Sequence, residues 1–205
     1  MPPVLIGSTW AAFRWFAHLW GARPGYFAGF LFYWCVWCLA LPLALLGRAR
    51  VRALLRPPPI PLRRQGPVIA LSLVVPVVLV YAYEFPRVIG MATPIVLAGS
   101  AAIALVNGAL EELLWRGAFV EVFPNDRLLG YVYPSVAFAL WHVAPQSIFA
   151  NPAPGGRASL VAVSLVLGLL WGNVARRTGS IRWTSVAHIL FDFSGLGARL
   201  YVGVG

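Results

Sequence analysis

The stretch TPIVLAGSAAIALVNGALEELLWRGAFV, running from Thr93 to Val120, sets two carboxylates and a guanidinium, Glu111, Glu112 and Arg116, inside an otherwise apolar run. A helix needs roughly 20 mostly apolar residues to cross about 30 Å of hydrocarbon, and this run is long enough. A charged group at the centre of such a helix costs about 2.5–3.5 kcal/mol on insertion scales. Ionisable residues therefore persist in membrane spans where they face a bundle interior or a water-filled cavity and serve a function.

The flanking chain repeats the apolar theme. Of 205 residues, 60% are hydrophobic and 11% charged, against about 25% charged in a soluble domain. Apolar runs at Tyr26 to Leu46, Pro67 to Tyr83, Thr93 to Val120, Leu128 to Val143, Ala158 to Ala175 and Trp183 to Tyr201 predict about six spans, with Pro76 expected to kink the second. Val4 to Trp20 mixes Trp10, Phe13, Trp15, Phe16 and Trp20 with Arg14 and His18, the composition of a helix at a membrane interface. The expected fold is all-α: a polytopic transmembrane helix bundle of about six spans plus an N-terminal interfacial helix, residues 1–205 forming a single integral membrane domain.

Sixteen basic residues, all arginine, against six acidic ones give a net charge of +10. Their placement excludes a nucleic-acid partner, because they gather in short loops between apolar runs rather than along one polar face. Arg48, Arg50, Arg52, Arg56, Arg63 and Arg64 surround Pro57 to Pro61, Arg127 follows Pro124, and Arg176, Arg177 and Arg182 lie in the turn before the last run. The intervening loops hold Arg87 and Arg157. By the positive-inside rule the richer loops are cytoplasmic. The partners this implies are the lipid bilayer and, given the polar set described next, a peptide or protein substrate. Cys35 and Cys38, inside an apolar run without polar support, read as buried free thiols.

The last four runs carry Glu111, Glu112, Arg116, His142, His188 and Asp192. Glu112 and Arg116, Phe138 and His142, and His188 and Asp192 are each four residues apart, so each pair shares one helix face. Singly, a histidine here suits a contact between helices and the Glu112–Arg116 pair suits a structural ion pair. Asn107 and Asn173 suit interhelical hydrogen bonds. Jointly, with Glu111 left over, the set suits an active site. A transporter or proton relay would spread its polar residues across the bilayer and show an internal repeat, and a non-catalytic scaffold or immunity protein would not keep the set intact.

The segments EELLWR at 111–116, FALWH at 138–142 and HILFD at 188–192 resemble the EExxxR, FxxxH and HxxxN/D motifs of the CAAX-protease and bacteriocin-processing (CPBP) family, which includes the type II CAAX prenyl endopeptidases. The resemblance covers about residues 94–201. It implies an intramembrane endopeptidase in which Glu111 and His142 bind and deprotonate a water while His188 and residue 192 polarise the scissile carbonyl. Glu112 is expected to pair with Arg116, and Phe138 supports His142. Asp192 departs from relatives that carry asparagine there; an ionised carboxylate repels an oxyanion, so Asp192 instead suits a role orienting His188. Glu111, His142, His188 and Asp192 are also possible zinc ligands, although the HExxH spacing is absent. Metal-free glutamate chemistry, with no cofactor, is the preferred expectation and a zinc-dependent protease the alternative. The resemblance implies substrates such as a CAAX-type tail, a leader peptide or a C-terminal sorting signal. Exclusive use of arginine points to a GC-rich bacterial genome, hence a bacterial inner membrane, with the site expected near the cytoplasmic side.

Overall fold

The computed structural model describes residues 1–61 and 64–202, and among these every regular element is helical. Arg63 of the first arginine loop lies outside the described residues. Helix is what the solvent dictates, because hydrocarbon offers no partner for a backbone N–H or C=O. The principal helices are α1 (Pro2–Trp20), α2 (Ala22–Leu54), α3 (Pro67–Tyr83), α4 (Pro94–Val122), α5 (wide turns Leu128–Val132 continuing as Tyr133–Trp141), α6 (Gly156–Thr178) and α7 (Arg182–Ser194). Single turns at Phe85–Val88 and Ile89–Met91 join α3 to α4, and one at Arg199–Val202 follows α7.

Helices α2, α3 with its following turns, α4 and α6 are long and apolar enough to cross a membrane. The other two expected spans are shorter. Helix α7 has 13 residues and α5 gives way to tight turns after Trp141, whereas a full crossing takes roughly 20 residues. Irregular backbone at membrane depth is tolerated where it lines a cavity or is covered by protein, and the chain beyond each of these two helices does line one, as described below.

The N-terminal helix is not among the four helices long and apolar enough to cross a membrane. It packs antiparallel along α2: Trp37 Nε1 donates to Ser8 Oγ at 3.1 Å, and the Phe13 ring sits edge-on to Phe30 at 5.2 Å. Gly25 and Gly29 make this possible, since a Cβ at either would overlap the Ala17 backbone or the Phe13 ring. Without a hydrophobic drive between helices in lipid, close approach of small residues is what holds them together. Gly108 does the same for α4 against α7; an added Cβ would lie 2.8 Å from the backbone N of Ile189.

Helix α3 is continuous through Pro76. Non-helical backbone appears instead in α2 at Gly47, with φ 72° and ψ 162°, a conformation that glycine adopts at little cost. Wide π-type turns occupy Tyr33–Ala40 of α2 and Leu113–Ala118 of α4, and such turns are frequent beside functional sites. Cys38 is buried but Cys35 is exposed on the outer face of α2, so only one of the two thiols is buried as expected.

An aromatic core of Phe13, Tyr33, Trp34, Trp115, Phe138 and Trp141 ties α1, α2, α4 and α5 together. A second core, with Ile69, Leu73, Leu167 and Trp171, joins α3, α6 and α7. The loop after α2 and the turn between α6 and α7 meet at one end of the bundle: Ile181 N donates to Leu54 O at 2.9 Å and Ser180 Oγ to Arg56 O at 2.6 Å. The end of α4 joins them through an Arg50–Glu121 ion pair. The connections α1–α2, α3–α4 and α5–α6 and the residues after α7 lie at the opposite end.

Candidate active site

Helix α4 carries Asn107, Glu111 and Glu112, and its wide turn carries Arg116; α7 carries His188 and Asp192; α5 carries Phe138 and ends at His142. Because Gly108 lets α4 and α7 touch, the carboxylates of one meet the imidazole of the other. Arg116 Nη1 lies 3.1 Å from Glu112 Oε1, and the same oxygen receives the His188 Nδ1 hydrogen bond at 3.0 Å. These three side chains are all but sealed from solvent, at 2%, 0% and 4% exposure, so their charges must be balanced internally. Phe138 lies between Arg116 and His142: the guanidinium carbon is 4.1 Å from its ring centre, and the His142 ring stands edge-on to it at 4.8 Å.

With Nδ1 committed to Glu112, His188 turns Nε2 towards Glu111 Oε2 and Asp192 Oδ1, each 3.5 Å away. Asp192 is itself held by Asn107, whose Nδ2 donates to Oδ2 at 2.8 Å, and Asn107 Oδ1 accepts from Trp34 Nε1 at 2.8 Å. His142 has Nδ1 at 2.9 Å from Phe138 O, an arrangement that fixes Nδ1 as the donor and leaves Nε2 as an acceptor. Glu111 differs from all of these. Its carboxylate is 1% exposed, yet neither oxygen has a hydrogen-bond partner. A buried unsatisfied carboxylate requires water or substrate to complete it.

Glu111, His142, His188 and Asp192 face a single cavity of about 230 Å³. The six residues singled out on α4, α5 and α7 thus come together, with Arg116 and Glu112 behind the cavity wall. Asn107 both bonds between helices and lines the cavity. Asn173 does neither; it accepts from Arg177 Nε at 3.2 Å one turn along its own helix. Other contributors went unread in the sequence. Tyr33 accepts from Trp115 Nε1 at 2.7 Å and stacks on Trp141 at 4.0 Å, and Gln146 Nε2 donates to His142 O at 3.1 Å. Tyr33 and Trp34 sit in an apolar run and Gln146 in a Pro/Gly-rich one, where nothing in the spacing signals a direction.

The remaining lining comes from Tyr26 and Phe30 at the start of α2, residues 145–152 after α5, and Arg199 and Leu200 after α7. All belong to the end of the bundle away from the converging arginine loops. Helices α5 and α7 start at the arginine end, and each reaches its motif histidine farther along.

Among the described residues no three His, Cys, Asp or Glu side chains are grouped to hold a metal ion. No curated protein and no solved structure matches the chain. One family model does: type II CAAX prenyl endopeptidase Rce1-like, over residues 93–194.

Proposed function

Because the chain belongs, through residues 93–194, to the Rce1-like family of type II CAAX prenyl endopeptidases, we propose that it is an intramembrane endopeptidase of the glutamate type. It hydrolyses a peptide bond in a membrane-associated polypeptide of the bacterial inner membrane. The buried carboxylate of Glu111 carries this reading, because it is the one acid in the site with neither oxygen hydrogen-bonded, and it can take up a water.

The water sits between Glu111 and Nε2 of His142. Glu111 removes one proton as the water oxygen attacks the carbonyl carbon of the scissile bond. The negative charge that develops on the carbonyl oxygen is met by the Nε2 hydrogen of His188, whose imidazole is held doubly protonated by carboxylates on both sides. The proton on Glu111 then passes to the amide nitrogen as the C–N bond breaks, leaving a carboxylic acid, which keeps the second proton of the water, and an amine. Asp192 orients and charges His188 rather than touching the oxyanion, which suits its bond to Asn107. Glu112 and Arg116 fix the imidazole from behind.

Glu111→Gln and His142→Ala should each reduce cleavage by purified protein at least about a thousandfold, in line with removal of a general base and of its water ligand. Substantial turnover by either variant would refute the mechanism. A zinc enzyme with the same residues would lose activity to a strong chelator and regain it with zinc, whereas the glutamate type is indifferent to both.

A further inference from the structure

Among the described residues, nine arginines cluster at one end of the bundle: Arg48, Arg50 and Arg52 in the last turns of α2, Arg56 and Arg64 beyond it, Arg127 before α5, Arg176 and Arg177 at the end of α6 and Arg182 at the start of α7. Five occupy the other end, Arg14, Arg23, Arg87, Arg157 and Arg199, while Arg116 is internal. Short arginine-rich loops stay in the cytoplasm, and here three of them are bound to one another through Leu54, Arg56 and Glu121. The polar cavity opens at the opposite end, under residues 145–152. A second cavity of about 160 Å³ lies at that same end, between α2 and α4. It shares Tyr26, Phe30, Asn107, Asp192 and Leu200 with the first and is lined otherwise mainly by apolar groups such as Trp34 and Ile103.

We infer that the site receives its substrate from the extracytoplasmic face, as a polypeptide anchored in the bilayer that displays its cleavable stretch on the outer surface. The inference rests on the protease reading for its chemistry and on loop charge for its direction. A prenylated tail or a leader peptide awaiting export lies on the cytoplasmic face and cannot reach this opening. An exported polypeptide anchored by an apolar segment can: the largely apolar groove between α2 and α4 offers that segment a contact surface, and it is continuous through Asn107 and Asp192 with the cavity that holds Glu111.

The test needs no substrate. In a Cys35→Ser, Cys38→Ala background, Ala150→Cys reports the cavity end and Leu55→Cys the arginine end. A membrane-impermeant maleimide added to intact cells should label Ala150→Cys and should label Leu55→Cys only after permeabilisation. Alkaline phosphatase fused after α7 should be active, and a green fluorescent protein fused there should stay dark. Labelling of Leu55→Cys on intact cells, or a fluorescent and phosphatase-negative fusion, overturns the inference. Cleavage lost in Glu111→Gln with the orientation unchanged speaks to the chemistry alone, so the two readings fail separately.

Discussion

Glu111 and Glu112 are neighbours in sequence with opposite situations. Glu112 is enclosed by Arg116 and His188, while Glu111 lines the polar cavity with neither oxygen hydrogen-bonded. The two should respond differently to the same substitution. Glu112→Gln strands a buried guanidinium, and removing one member of a buried pair costs about 3–5 kcal/mol, so thermal unfolding in detergent should move to a clearly lower temperature. Glu111→Gln relieves an unsatisfied charge, and its unfolding temperature should hold or rise while cleavage disappears. Equal destabilisation of both would contradict the division of labour. Asn107→Ala should leave the bundle folded and lower kcat/KM about tenfold, the worth of one hydrogen bond to a charged group at about 1.5 kcal/mol. The i,i+4 pairs on α4, α5 and α7 were legible in the sequence because a polar residue in an apolar helix is expensive and its spacing assigns a face. Tyr33, Trp34 and Gln146 were not, because an aromatic in an apolar run and an amide in a loop are each at home without any site.

The helices themselves were readable as apolar runs, but their lengths in space were not. Hydropathy sees Leu128 to Val143 and Trp183 to Tyr201 as spans like the rest, whereas the backbone leaves the helix after Trp141 and after Ser194. The local breaks differ: Pro145 follows the first stop, and after the second the backbone turns left-handed at Leu196, with φ 46°. The same blindness covers close approach. Gly108 looks like one small residue among several in α4, yet it is the point at which α7 comes within reach. Gly108→Leu should force the two helices apart, lengthen the Glu112–His188 contact and abolish cleavage, with Gly108→Ala intermediate. Full activity in Gly108→Leu would show that the helix contact does not set the site.

Taken as a whole, the molecule has two unlike ends. Loop charge was visible in the sequence and suffices to orient it; the position of the cavity relative to those loops was not, because it depends on where three helices cross. The arginine end is fastened shut by Ser180 and Ile181, which hold the carbonyls of Leu54 and Arg56, and the lining of the polar cavity includes no residue from that end. The cavity that Glu111 faces is thus a blind alley rather than a conduit. Hydrolysis can proceed inside the bilayer without short-circuiting it, and vesicles carrying the working enzyme should keep an imposed pH gradient as long as empty ones do.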